Sequence, residues 1–234
     1  KRRDIKMSEN FRLDNCGLVN RNKKISFKFN GKKYFGYEGD TLASALLANG
    51  VHLVGRSFKY HRPRGFLGVG VEEPNAQVQL YNGAKTEPNA IATTVELVEG
   101  LVAKSQNCFP SVSFDFGAIN NFLHKFFPAG FYYKTFMGPH KNFWKKIYEP
   151  IIRKAAGLGK PPKEFKAVST HLYHNVDITI VGGGLNGLIA AKSLIDTKFS
   201  VLLIDFDDQL GGILNNSNKV QSVNNQTPMD WISE

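Results

Sequence analysis

Two cysteines, Cys16 and Cys108, in 234 residues are too few for a disulfide framework, a structural zinc site or a four-thiolate cluster. Both are read as reduced, partly buried packing residues of a cytosolic protein. No run of about 18 apolar residues occurs, so no membrane-spanning helix is expected. The opening KRRDIKMSEN is basic but leads into no apolar stretch, which argues against a secretory signal. The missing Met at position 1 points to a processed or partial chain. Acids are in the minority, 20 against 30 Lys and Arg, for a formal charge of +10. That excess is spread along the chain without an Arg-rich tail, so nucleic acid is not the expected partner. It fits an anionic cofactor, an acidic partner subunit or a solvated surface. What is present, 42% hydrophobic and 21% charged residues, suffices for one large or two modest globular domains.

From Lys24 the pattern becomes legible. Ile25, Phe27 and Phe29 alternate with polar residues, Asn30-Gly31 suits a type I′ turn, and Tyr34, Phe35 and Tyr37 follow. That is a β-hairpin signal. Asp40 or Thr41 caps a helix whose Leu42, Ala45 and Leu46 share a face, and Gly50 takes the C′ position. A hairpin followed by a helix across it opens a β-grasp fold of the ferredoxin kind. Two more strand-like pieces are AQVQLYNGAK, with a second Asn-Gly at Asn82-Gly83, and IATTVELVEG. Residues 106–172 are rich in aromatics, Pro and Gly and read as a connecting segment, with one short helix near Phe143 to Ala156 and a linker at Gly159-Pro161-Pro162. The expected partition is an extension over 1–20, the β-grasp domain over 21–105, the connector over 106–172, and a dinucleotide-binding start over 173–234.

The strongest motif is DITIVGGGLNGLIAAKSLIDTKFSVLLID, Asp177 to Asp205. Val176 to Val181 reads as a buried strand, Gly182-x-Gly184-x-x-Gly187 opens a helix through about Ile195, and a second strand spans Ser200 to Ile204. Gly182 permits the tight turn, Gly184 lets backbone approach a pyrophosphate, and Gly187 lets the helix pack closely on the sheet. Asp205 stands 23 residues after Gly182, where a carboxylate accepts the ribose hydroxyls of an adenosine. The same carboxylate repels a 2′-phosphate, which disfavours NADP. Between NAD and FAD the motif does not decide. The full set of candidate contacts is Gly182, Gly183, Gly184, Leu185, Asn186, Gly187 and Asp205. Near the end, Thr227 is a good N-cap and Pro228 suits N1 of a further helix. With only the first βαβ unit of such a domain supplied, the chain is expected to be a fragment or one piece of a split subunit, inactive on its own.

The segments YEGDTLASALLANGVHLVGRSFKYHRPRG, EEPNAQVQL, FPAGFYYKTFM, FWKKIYEPIIRKAAGLG and VGGGLNGLIAA together resemble the N-terminal part of the alpha subunit of heterotetrameric sarcosine oxidase. The resemblance covers nearly everything from about Phe11 onward. It implies an enzyme that oxidatively demethylates sarcosine to glycine, with beta, gamma and delta partner subunits in the cytoplasm. FAD and covalent FMN lie on or beside the beta subunit, and a tetrahydrofolate-dependent half lies further along the alpha subunit. It also implies NAD at the glycine motif of this chain. Leu185-Asn186 departs from the family's usual Pro-Ala, and Asn186 is expected to support the helix start by capping. The alternative reading is a non-enzymatic cofactor-binding or assembly module of another amine- or opine-oxidising flavoprotein complex.

Iron–sulfur relatives carry cysteines in the loop after the β-grasp helix. Here that loop, Gly55 to Gly65, reads GRSFKYHRPRG and has none, so no iron–sulfur cluster and no metal are expected. Its Arg56, Lys59, Arg62 and Arg64 alternate with Phe58 and Tyr60. The favoured reading is a docking loop that fills the cluster's position and pairs with acids elsewhere. A nucleotide-phosphate or single-strand site is the weaker one. His52 and His61 lack metal-ligand spacing and read as packing or hydrogen-bonding residues. Tyr132, Tyr133 and Lys134 read as a buried aromatic plug rather than a cofactor contact. No catalytic residue is assigned.

Overall fold

The computed structural model describes residues 11–13, 17, 19–81, 86–126, 130, 138, 140–155, 159–162, 170–207, 209–216 and 222–234. The chain divides into two compact units, Lys1–Lys166 and Ala167–Glu234.

The first unit is built on five strands: β1 (Asn20–Phe29), β2 (Lys32–Glu38), β5 (Gln77–Tyr81), β6 (Glu87–Ile91) and β7 (Val102–Ser105), in the order β2-β1-β7-β5-β6. Two-residue strands β3 (Gly55–Arg56) and β4 (Pro63–Arg64) pair separately. β1 and β7 run parallel, and the other pairings in the sheet are antiparallel. The alternation in β1 does what was expected: Ile25, Phe27 and Phe29 are buried and Lys28 is exposed. Asn30 and Gly31 both have positive φ, 50° and 79°, the signature of a type I′ turn.

The helix Leu42–Ala48 lays Leu42, Ala45 and Leu46 into the same core. Of the two capping candidates Thr41 is the N-cap. Its hydroxyl accepts the Ser44 N–H at 3.2 Å, and the Ser44 hydroxyl accepts the Thr41 N–H at 3.0 Å. Gly50, at φ +72°, ends the turn. Gly36 lets the helix approach the sheet, since a Cβ there would lie 2.5 Å from Leu97 Cδ2 and 3.0 Å from the Ala45 Cβ.

One strand expectation needs correction, and one strand was not expected. IATTVELVEG is strand only as far as Ile91. Beyond it the chain turns, with Thr94 N–H donating to Ile91 O, and Leu97 drops into the core. The central strand β7 is instead VAKS, four residues too short and too polar to announce itself. The Asn82-Gly83 turn lies outside the described residues.

Residues 106–126 carry short 3₁₀ turns at Phe116–Asn121 and His124–Phe126. The expected helix near Phe143 runs as Lys141–Phe143, a π-helical Trp144–Tyr148 and Glu149–Ala155. The Pro-Gly stretch is tied down: Gln79 accepts the Lys160 N–H at 2.7 Å and donates to Lys160 O at 3.2 Å. Tyr132, Tyr133 and Lys134 fall outside the described residues.

The second unit pairs β8 (Ile178–Val181) with β9 (Val201–Ile204) in parallel, Ile178 opposite Val201 and Val181 opposite Ile204. The helix Leu185–Ser193 connects them and packs against both. The strand at Val176 to Val181 was expected to be buried, yet it alternates: Ile178 and Ile180 are half-buried, while Val181 is 83% exposed. The helix covers one face of the pair, and the other face is uncovered among the described residues. Thr227 caps the helix Pro228–Ser233 with Pro228 in its first turn, as expected.

Candidate nucleotide-binding site

β8 delivers the chain to Gly182, whose N–H bonds Ile204 O at 2.8 Å and whose φ is +104°. Only glycine turns there without strain. Gly184 is the N-cap of the helix Leu185–Ser193, and no side chain caps that end. Asn186 therefore does not cap, being inside the first turn and exposed. Among the described residues no side chain serves the helix amides at this end, and the dipole favours a negative ligand there.

The three fingerprint glycines separate by what surrounds them. A Cβ on Gly182 or Gly184 would meet nothing within 4 Å. A Cβ on Gly187 would lie 1.7 Å from Gly182 O, an impossible distance. Gly187 thus brings helix and strand together, while Gly184 leaves room for a ligand to reach the backbone. The remaining glycine, Gly183, is buried against Leu210 and Asp205. Leu185 begins the helix beside this opening.

Asp205 stands directly after β9. It accepts the Gly183 N–H with Oδ2 and the Asp207 N–H, at 2.8 Å, with Oδ1. Those backbone donors, Asp207 first and Gly183 next, hold its carboxyl below the ordinary range, so it is ionised at neutral pH. The acid braces the glycine turn, and its remaining lone pairs are available to ribose hydroxyls. A second glycine pair, not singled out from the sequence, closes on the same place. Gly211 N–H bonds Gly183 O at 2.8 Å, and a Cβ on Gly212 would stand 3.3 Å from Gly184 Cα. Both have positive φ, at 117° and 51°. The signal was legible as Gly-Gly six residues beyond the acid.

In the first unit two arginines of the basic loop, Arg56 and Arg62, dock within their own chain onto carbonyl oxygens. Arg56 donates to Val112 O and His61 O, each at 2.9 Å, and to Ser113 O at 3.4 Å. Arg62 donates to the Asn121 side chain at 2.8 Å. His61 has an acid after all, 54 residues away in sequence: its Nδ1 stands 2.6 Å from Asp115 Oδ2, with both side chains buried. Asp115 also accepts the Phe109 N–H at 2.9 Å and the Gly117 N–H at 3.2 Å. His52 stacks edge-on against Phe11, a packing role as expected. Among the described residues no group of three or more His, Cys, Asp or Glu converges as a metal site. The thiol of Cys108 is pushed up by burial and then by the Asp115 carboxylate, the opposite of a ligating cysteine.

Comparison with known proteins defines the class first. Residues 22–108 match the model of a 2Fe-2S iron-sulfur cluster binding domain, and residues 180–233 match that of an NAD(P)-binding Rossmann-like domain. The chain therefore joins a ferredoxin-like domain to a dinucleotide-binding one. It is similar, over nearly its whole length, to sarcosine oxidase subunit alpha. That of Rhizobium meliloti (strain 1021) is 52% identical over 205 residues, which is 87% of this chain and 21% of the relative. That of Corynebacterium sp. (strain U-96) is 28% identical over 92% of this chain and 17% of the relative. The chain thus spans about a fifth of the length of the curated relatives it matches. A crystal structure of L-proline dehydrogenase from P. horikoshii covers 92% of this chain and 31% of its own, at 20% identity and a TM-score of 0.48, too low to carry an argument.

The residues present do not fit a 2Fe–2S group. The loop Gly55 to Gly65 holds no thiol, and two cysteines in the whole chain cannot supply its ligands.

Proposed function

We propose that this chain is the nucleotide-binding portion of a sarcosine oxidase-like amine oxidoreductase, holding NAD on the turn GGGLNG. Oxidative N-demethylation, with its flavins and tetrahydrofolate, lies elsewhere in a cytoplasmic assembly of beta-, gamma- and delta-type subunits. The supporting observation is the open space over Gly182 and Gly184 beside the ionised Asp205, an arrangement suited to a pyrophosphate and a ribose. NAD, when bound, supplies a hydride acceptor. The residues of this chain bind and orient it: backbone N–H groups from Gly184 to Gly187 face the pyrophosphate, and Asp205 accepts the ribose hydroxyls. FAD at the same turn is the second reading, since the turn itself recognises only the shared adenosine diphosphate.

The ferredoxin-like domain is read as a β-grasp without its cluster. Sheet order β2-β1-β7-β5-β6 with one helix in the core supports this. Its loop knitted by Arg56 serves packing and assembly rather than electron transfer. The proposed boundaries remain 21–105 for this domain and 173–234 for the dinucleotide unit.

The test is calorimetric titration of the chain with NAD, NADP and FAD, before and after Asp205→Ala. Asp205 also braces Gly183, so loss of affinity alone would not separate the two roles. A ribose contact predicts NAD binding at least about tenfold weaker in the variant, with the NAD-over-NADP preference collapsing. Equal weakening of both nucleotides would place the acid in the turn only, and undiminished NAD binding would remove it from the site.

A further inference from the structure

We infer that the outward face of the five-stranded sheet docks an acidic peptide segment of a partner protein, with one large apolar side chain of that segment seated in the cavity beside Tyr81 and Val102. The strand register defines the face. Lys33 stands opposite Lys28, Lys28 opposite Val102, and Val102 opposite Tyr81, so these four residues form one row across β2, β1, β7 and β5. The next residues along β1 and β7, Phe29 and Ala103, are buried in the core, which turns the row outward. Lys28 and Lys33 are exposed, and Tyr81 is 44% exposed. By the same alternation Lys24 on β1 and Lys104 on β7 share the face. Glu99 reaches it too, where the Ser26 N–H and hydroxyl bind its carboxylate at 2.7 and 2.5 Å, and the lysines stay in excess. Among the described residues the ammonium groups of Lys28 and Lys104 make no ion pair or hydrogen bond. Such a face favours a partner of negative charge.

The cavity, about 390 Å³, opens at the apolar end of the row. Tyr81, Val102, Cys108, Pro110 and Val112 line it, Lys104 supplies a cation, and among the described residues no carboxylate does. The Cys108 thiol, pushed up by burial and then by Asp115, stays protonated and adds no negative charge. Such a volume accommodates an aromatic or branched side chain. Neighbouring strands lie about 4.8 Å apart, which places Lys28 and Lys33 about 5 and 10 Å from Val102 along the row. An extended chain advances about 3.3 Å per residue, with alternate side chains on one side. Carboxylates two and four residues from the apolar anchor therefore come within reach of the flexible Lys28 and Lys33 side chains. Single-stranded nucleic acid suits the face less well. It needs free aromatic faces for successive bases, and the Phe35 ring already has Lys24 and Lys33 over it, at 4.8 and 5.1 Å. Nothing in this face depends on the nucleotide at the glycine turn, which belongs to the other unit.

The experiment titrates the full chain with a capped peptide in which serines separate phenylalanine from glutamates two and four positions on. Binding is read as slowed alkylation of Cys108, localised by mass spectrometry. Expected is saturable protection that weakens as salt rises. Binding should be at least about tenfold weaker when lysines replace the glutamates, when glycine replaces the phenylalanine, and in Lys28→Glu. Lys125→Glu makes the same change of charge at an exposed position off the sheet and should bind as the native chain does. Lys33→Glu repeats the test should Lys28→Glu fail to fold. Undiminished binding of the lysine or the glycine peptide, or equal weakening by Lys125→Glu and Lys28→Glu, would overturn the docking row. So would Cys108 that stays unprotected at saturating peptide. Stronger protection by oligothymidylate or by phosphatidylserine vesicles than by the peptide would assign the face to nucleic acid or to membrane instead.

Discussion

Removing Arg12 should loosen the hairpin and the helix behind it, although Arg12 lies outside both. The Asp40 side chain is wholly buried at the start of the helix Leu42–Ala48. Arg12, 12% exposed, meets it with both terminal nitrogens, at 3.1 and 2.7 Å, and lies 5.2 Å from the Tyr37 ring centre. Asp40 also accepts the Tyr37 N–H at 2.9 Å and the Ser44 hydroxyl at 2.7 Å. One carboxylate therefore holds the strand end, the helix start and the N-terminal segment together. Deleting one partner of a buried pair costs about 3–5 kcal/mol, because the other charge stays behind without compensation. Here two neutral donors remain and water reaches the vacated site, so the lower end applies, about 3 kcal/mol. The chain has two units and need not unfold in one step, so a local assay is needed. Native-state hydrogen exchange of amides in β1, β2 and the helix should accelerate roughly 100-fold in Arg12→Ala. The amides of Ile178–Val181 and Val201–Ile204 serve as the internal control. Exchange unchanged within about threefold in the hairpin and helix would refute the clamp.

Glu73, 3% exposed, organises the loop before β5. It accepts the N–H groups of Leu67, Gly68, Asn75 and Ala76 at 2.6 to 3.2 Å. Burial opposes its ionisation, but the four backbone donors outweigh it and hold the carboxyl below its usual value. The folded form is thus the stronger acid. Its stabilisation is complete above the ordinary carboxyl pKa and is lost as pH falls through the lowered one. Exchange over residues 65–76 should quicken in acid for the native chain. Glu73→Gln should lose about 1–3 kcal/mol at neutral pH and show no such acid step. Gly187→Ala should unfold the turn and abolish NAD binding, because the 1.7 Å contact is with backbone that cannot retreat. A variant that still bound NAD normally would show that helix and strand are not packed this closely.

What was legible in the first unit was local. The hairpin announced itself because Phe27 and Phe29 are followed at once by Asn30-Gly31, and the helix because a cap, an apolar stripe and Gly50 stand at fixed spacings. The partners of polar residues were not legible, because they come from far along the chain. Arg12 with Asp40, His61 with Asp115, and Ser26 with Glu99 are separated by 28, 54 and 73 residues. No spacing rule reaches that far. β7 was missed for a different reason: Val102–Ser105 lies in the sheet centre, yet only Ala103 and Ser105 face inward, and neither is bulky.

The basic loop joins these two lessons. Its arginines suggested pairing with acids, yet Arg56 spends its guanidinium on three carbonyls of its own chain. A cluster would hold such a loop through several thiolates converging on one centre. A planar cation with five donors does related work from the opposite direction, drawing separate stretches of backbone toward one side chain. The loop then needs no thiols to keep its shape. The buried His61–Asp115 pair fixes its far end, and Asp115 ties that end to Phe109 and Gly117. This explains how a sequence matching an iron–sulfur domain over residues 22–108 can lack the cysteines and still close the loop. In this domain the bonding that organises the loop comes from Arg56, His61 and Asp115.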